Sequence, residues 1–189
     1  MLDAVILAGG KSSRMGQDKA LLPFKGYNSL AEYQYKRLKP LFSNVYLSAK
    51  EYKFDFQAPF ICDNTKAVSS PLIALEAIMQ TLQKPFFLIA VDMPLLPLSE
   101  IEKLLWHFYK NPSFDAYLFK SPNGLEPLAT IYKSSTLATL QRMLQKNDHK
   151  MNTFLSKINF TMVESNYQSY FTNLNYFTEY KKISTLSKI

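Results

Sequence analysis

A chain of 189 residues, 47% apolar and 20% charged, has the make-up of a water-soluble globular protein and the length of one domain, residues 1–189. Its only cysteine, Cys62, excludes an intrachain disulfide; with His107 and His149 it makes three thiol and imidazole groups, too few for a four-ligand zinc site. A net charge of +7 favours anionic partners without naming one, and no arginine-rich run or binding motif accompanies it, so nucleic acid is not expected.

Residues 4–7 are a short apolar run that predicts a buried strand. No basic stretch or small-residue cleavage pattern precedes it, so a secretory leader is not expected and the cytoplasm is. Ser29 and Glu32 have capping-box spacing and predict a helix over 29–38. Strands follow at 44–48 and 60–62. Ser70-Pro71 predicts a helix start, serine as N-cap and proline in the first turn, with Leu72, Leu75, Ile78, Met79 and Leu82 on its apolar face. Residues 86–91 are apolar at every position, as a strand covered on both faces requires. That run stops at Asp92, far short of the ~20 residues of a membrane span, and no membrane association is expected. Ser99 with Glu102 predicts a capped helix through Tyr109. Further strands are expected at 116–119 and 128–132, a helix at 136–145, and a helix or turn near 151–158. Late strands are expected at 160–163 and 170–174, with a last helix capped by Thr178. Strand–helix alternation of this kind predicts an α/β fold, a three-layer α/β/α sandwich around a mostly parallel sheet, in which ligands sit beyond the carboxyl ends of strands.

Four of the five glycines, Gly9, Gly10, Gly16 and Gly26, fall in the first 26 residues. The segment Leu7-Ala8-Gly9-Gly10-Lys11-Ser12-Ser13-Arg14-Met15-Gly16-Gln17-Asp18-Lys19 directly follows the first strand. Glycine lets a backbone approach a ligand closely, and exposed N–H groups in such a loop make an anion-binding concavity. Arg14 and Lys19 add positive charge, so phosphate suits the loop best. Two common phosphate loops are excluded: a P-loop using Gly10-Lys11-Ser12 needs glycine at Val5, and no G-x-G-x-x-G occurs.

The stretch L-A-G-G-K-S-S-R-M-G-x-D-K-A-L-L resembles the signature of the molybdenum cofactor guanylyltransferases, a branch of the nucleotidyltransferases of Rossmann-like, glycosyltransferase-A-like (nucleotide-diphospho-sugar transferase) fold. The sister cytidylyltransferases typically carry L-A-A-G, so Leu7-Ala8-Gly9-Gly10 is similar to the guanine-selective form. The resemblance implies that Leu7, Ala8, Gly9 and Gly10 lie against guanine and the nucleotide, and that Arg14 and Lys19 hold phosphates. Further motifs extend it along the chain. Ile61-Cys62-Asp63 looks like the strand whose terminal Asp contacts the nucleotide. Ala90-Val91-Asp92-Met93-Pro94 looks like the D-x-P motif, which makes Asp92 the implied Mg²⁺ ligand. Asn173 and Asn175 look like the late N-x-N motif, near nucleotide or pterin. Ser48 stands where some members have a nucleotide-contacting Asn. Ser70-Pro71-Leu72-Ile73-Ala74 departs from the expected G-P-L-x-G at both glycines.

The implied reaction joins GTP to molybdopterin cofactor, giving the guanine dinucleotide and pyrophosphate, with Lys19, Arg14 and Asp92 as the catalytic set. Implied partners are GTP, the pterin, and a molybdoenzyme or cofactor-biosynthesis protein. Two other readings stand beside it: a cytidylyl- or sugar-phosphate nucleotidyltransferase of the same fold, or a degenerate nucleotide-binding partner protein. Lys120, Lys133, Arg142, Lys150 and Lys157 form a basic tail half that is read as surface or as facing the pterin phosphate. The late aromatics Tyr167, Tyr170, Phe171, Tyr176, Phe177 and Tyr180 are read as packing for the last helix, with a pterin pocket as the alternative. His107 and His149 are read as a helix-face and a loop residue.

Overall fold

The computed structural model describes residues 1–9, 17–63, 70–174 and 180. Gly10, Arg14, Asn175 and the helix expected after Thr178 lie outside them. The strands are β1 (Asp3–Leu7), β2 (Val45–Ala49), β3 (Phe60–Cys62), β4 (Phe86–Ala90), β5 (Ala116–Ser121), β6 (Gly124–Tyr132) and β7 (Phe160–Glu164). They form one sheet in the order β3-β2-β1-β4-β6-β5-β7. β3, β2, β1 and β4 pair in parallel, as do β5 and β7; β6 alone runs the other way, antiparallel to both β4 and β5. The expected α/β three-layer architecture is therefore present.

Alternation along β1 shows how the layers form. Ala4 and Ile6 face one helix layer, α1 (Leu30–Leu38) and α3 (Leu98–Lys110), through Leu30, Leu38, Ile101 and Leu104. Val5 and Leu7 face the other, α2 (Pro71–Leu82), α4 (Leu137–Gln145) and α5 (Met151–Leu155), through Leu72, Leu75, Ile78 and Leu140. β4 is buried at every position because it lies mid-sheet beneath both layers.

The caps decide where helices begin. Ser29 accepts the Glu32 N–H at 3.1 Å, while the Glu32 carboxylate reaches back to the Asn28 N–H, one residue before the ordinary capping-box target. Ser70 accepts the Ile73 N–H at 3.4 Å and Pro71 opens α2. The box expected at Ser99 and Glu102 does not form. Pro97 is the N-cap, its carbonyl accepting the Ile101 N–H, so α3 starts at Leu98 and Ser99 falls inside the first turn.

Other elements also depart from expectation. A 3₁₀ turn, Ser134–Thr136, precedes α4, so the α-helix starts at Leu137. β6 begins at Gly124, four residues before the expected start, because it forms a hairpin with β5 and shifts register past Leu118. Residues 170–174 make no strand. Gln168–Phe171 is a 3₁₀ turn that buries Phe171 against Phe119, and the Leu174 N–H donates to the Asp92 carbonyl instead of a strand neighbour. Among the described residues no helix is long and apolar enough to cross a membrane.

Candidate active site

A cavity of about 440 Å³ opens at the carboxyl ends of β1–β4, lined by Leu7, Ala8 and Gly9 after β1, Ser48 on β2, Asp63 after β3 and Asp92 after β4, with Asp18, Lys19 and the start of α2 closing it. Its position is the one a parallel sheet dictates: strand ends leave backbone and side chains pointing outward from a rigid floor. The ladder continues one bond past the strands and pins that floor. Ala8 N–H donates to the Ser48 carbonyl at 2.8 Å, Val91 N–H to Leu7 at 3.0 Å and Asp63 N–H to Ala49 at 3.1 Å.

Lys19 and Asp92 meet across the cavity, Nζ to Oδ2 at 3.1 Å, although 73 residues separate them. Lys19 starts a 3₁₀ turn whose N-cap is Asp18, the Asp18 carboxylate accepting the Ala20 N–H at 3.0 Å. The loop after Asp92 is held from behind. Gln34, buried on α1, donates to the Val91 carbonyl at 3.3 Å; Arg37 donates to the Pro94 and Leu96 carbonyls. Burial depresses the Arg37 guanidinium from its usual range, yet it keeps two carbonyl acceptors. Leu174 N–H closes the same loop at 2.9 Å from the Asp92 carbonyl. That contact brings Asn173 close to the motif, with its buried Oδ1 unpartnered, but Asn173 is not part of the described cavity wall.

The other end of the cavity is built differently. Asp63 is buried and its Oδ1 has no hydrogen-bond partner; the neighbouring Ser48 Oγ is likewise buried and unpartnered. Desolvation raises the Asp63 carboxyl above the usual Asp range, while Lys50 and Lys53 pull it back. A Cβ at Gly9 would stand 3.4 Å from both Asp63 Oδ2 and the Ala49 Cα, so the missing side chain keeps the approach to this carboxylate open. Asp63 and Ser48 both line the cavity, and each keeps a buried polar atom without an internal partner.

Ser70 and Ala74, which replace the two glycines of the related motif, line the cavity with Pro71 between them. They keep the wall low, since each is small. His149, a loop residue as expected, places Nδ1 3.1 Å from Ser70 Oγ and Nε2 3.0 Å from Asn147 Oδ1. Sequence spacing gave no signal for that contact, nor for Lys53, Gln34 or Arg37. The late aromatics Tyr170 and Phe171 pack with the core and Tyr167 is exposed; none lines the cavity. Of the basic tail half, Lys120 pairs with Glu164 and Lys133 donates to the Pro112 carbonyl. Arg142 and Lys157 line a separate cavity of about 520 Å³.

A cleft at the carboxyl edge of an α/β sheet, walled by Gly9, a lysine–aspartate pair and strand-end carboxylates, is where folds of this class, the α/β nucleotidyltransferases among them, place their ligands. The chain belongs to the MobA-like NTP transferase domain family, which matches residues 4–161. It is 38% identical over 186 residues to the molybdenum cofactor guanylyltransferase of Campylobacter jejuni subsp. jejuni, covering 97% of this chain and 96% of the relative. It is 33% identical to the protein of the same name from Helicobacter pylori, covering 95% and 90%. Among solved structures, molybdopterin-guanine dinucleotide biosynthesis protein A of Archaeoglobus fulgidus superposes with a TM-score of 0.83 at 21% identity, covering 100% of both chains.

Proposed function

We propose that the protein transfers GMP from GTP to the terminal phosphate of molybdopterin cofactor. A phosphate oxygen of the pterin attacks the α-phosphorus of GTP, the bond from that phosphorus to the bridging oxygen breaks, and pyrophosphate leaves. The acceptor is already anionic near neutral pH, so no general base is needed. What the site must supply is alignment of two anions and stabilisation of charge on the leaving group. Lys19 is the described cation placed for that task, and Arg14, outside the described residues, is its proposed companion. Leu7, Ala8, Gly9, Gly10, Ser48 and Asp63 take the base and ribose, with Asp63 accepting N–H groups of guanine. Asn173 and Asn175 are proposed beside them.

The observation that carries the reading is the Lys19–Asp92 pair at the strand-end cleft, in a chain 38% identical to a guanylyltransferase over nearly its full length. Family members of this kind use a divalent metal, and the donor set fits Mg²⁺ in chemistry. Asp92 offers hard carboxylate oxygen at the cavity, and no group of three protein ligands occurs among the described residues, so triphosphate and water would complete the shell. Bound there, Mg²⁺ supplies charge neutralisation at the triphosphate. Asp92 holds the position, Gln34 and Arg37 fix its loop, and Lys19 binds phosphate oxygen. The cytoplasm is the proposed location, and a molybdoenzyme or a cofactor-biosynthesis protein the proposed recipient of the product.

The test is to incubate the protein with molybdopterin cofactor, Mg²⁺ and each nucleoside triphosphate in turn, and to identify the nucleotide joined to the pterin by mass spectrometry. GTP is expected to give the dinucleotide and pyrophosphate. A cytidine product, or none, overturns the reading.

A further inference from the structure

Among the described residues, the cavity wall carries more carboxylates than cations. Asp18, Asp63 and Asp92 line it, against one lysine, Lys19, among the described residues. Lys19 and Asp92 account for each other, and Asp92 has a metal to hold. Asp18 and Asp63 remain, two carboxylates beside the path of a triphosphate.

Lys53 answers for Asp18. It lies in the segment between β2 and β3, behind the cavity wall, where no motif points to it. Its Nζ forms an ion pair with Asp18 Oδ2 and donates at 3.0 Å to the carbonyl of Ala8. Ala8 is the last residue pinned to the sheet by β1, and Asp18 immediately precedes Lys19. Asp63 is answered chiefly by Lys50, with Lys53 adding less, both favouring its ionised form against burial. One cation thus contacts Ala8 and Asp18, which stand before and after the glycine-rich stretch. The pair is sheltered, with side-chain exposures of 20% for Lys53 and 30% for Asp18, so its charges are screened less than a surface pair's.

We propose that Lys53 is a positioning residue for nucleotide binding: it neutralises Asp18, so that the carboxylate next to Lys19 does not oppose a polyphosphate. The proposal rests on the nucleotide reading above. Without Lys53, Asp18 stands as an uncompensated negative charge one residue from the phosphate-binding lysine.

The signature of that role is dependence on ligand charge, which loss of packing does not produce. Affinities of guanosine, GMP, GDP and GTP for wild type, Lys53→Met, Lys53→Arg, Asp18→Asn and the Lys53→Met/Asp18→Asn double variant are measured by calorimetry, with folding checked by thermal denaturation. Lys53→Met is expected to lose about tenfold in GTP affinity, less for GMP and nothing for guanosine. Lys53→Arg keeps the charge and stays near wild type. Asp18→Asn in the Lys53→Met background restores most of the GTP affinity. Unchanged GTP affinity in Lys53→Met, an equal loss for guanosine, or no recovery in the double variant overturns the proposal. Should Lys53→Met not fold, Asp18→Asn alone decides. Undiminished GTP affinity supports compensation; a loss of tenfold or more refutes it. A wild type that binds GTP but forms no dinucleotide refutes the functional reading and leaves this one standing; a wild type with no GTP affinity overturns both.

Discussion

The two ends of the cleft both present an aspartate at the tip of a parallel strand, and the two are supported in opposite ways. Asp92 follows β4, the middle strand, and is held by a full set of contacts. It pairs with Lys19, its own carbonyl accepts from Leu174, and Gln34 and Arg37 grip the carbonyls on either side of it. Asp63 follows β3, a three-residue edge strand, and one of its carboxylate oxygens is buried without a partner. A charged, tightly oriented carboxylate suits a metal and a reacting phosphate, where position governs rate. A desolvated, unsatisfied carboxylate suits recognition, because a ligand that fills its vacant hydrogen bond gains more than one that competes with an internal partner. The strand end alone does not assign a role; the company kept by the side chain does.

The sharpest way to break this contrast is to remove charge from the Asp92 end. Lys19→Ala and Asp92→Asn are each expected to lower turnover by about 10²–10³ with the fold intact. Added Mg²⁺ recovers part of the loss in Asp92→Asn and none in Lys19→Ala. Equal behaviour of the two variants toward Mg²⁺ would remove Asp92 from metal binding. Next in size is the grip behind the loop. Arg37→Met leaves the Pro94 and Leu96 carbonyls without their charged donor and is expected to cost about 2 kcal/mol in urea denaturation, together with a fall in turnover. A stable Arg37→Met variant with normal turnover would show that the loop holds itself.

At the Asp63 end the effect moves from rate to selection. Asp63→Asn is expected to raise the KM for GTP by about tenfold while kcat changes little, since a charge-assisted hydrogen bond to a base is made in ground and transition states alike. A fall in kcat with unchanged KM would move Asp63 into the reacting centre and erase the distinction between the two ends.

The same contrast governs what was legible in the sequence. Asp92 announces itself because a fully buried strand must be apolar throughout, and a carboxylate after such a run can only be at its edge. Lys19 is legible through the glycine turn before it, and Ser70 through the proline beside it. Parallel order in the sheet follows from strand–helix alternation, but the reversal of β6 does not: antiparallel and parallel strands read alike once both faces are covered. Ser99 and Glu102 mislead because a capping box is a spacing, and Pro97 supplied the extended residue one turn earlier. Residues 170–174 open with Tyr170 and Phe171, as a strand would, yet their partners are Phe119 and the Asp92 loop. Lys53, Gln34 and Arg37 are invisible to pattern reading, since each acts across 45 or more residues on a backbone carbonyl.

The smallest predicted effect is one of stability, and it belongs to Asp63 alone. Burial raises its carboxyl in the folded protein above the reference value of 3.8. The folded state therefore holds this proton more tightly than the unfolded chain does. Between the two values the native protein carries more protons, so this group's contribution to stability falls as pH rises through that window. Asp63→Asn cannot titrate, and it also removes the desolvated charge. The variant is expected to be more stable than wild type near neutral pH, and the difference should shrink as pH falls from about 7 toward about 3. The comparison is made by urea melts of both proteins across that range, taking the difference at each pH so that acid unfolding common to the two cancels. A difference that grows on acidification would mean that Lys50 and Lys53 outweigh burial, and that Asp63 is a paired carboxylate like Asp92 after all.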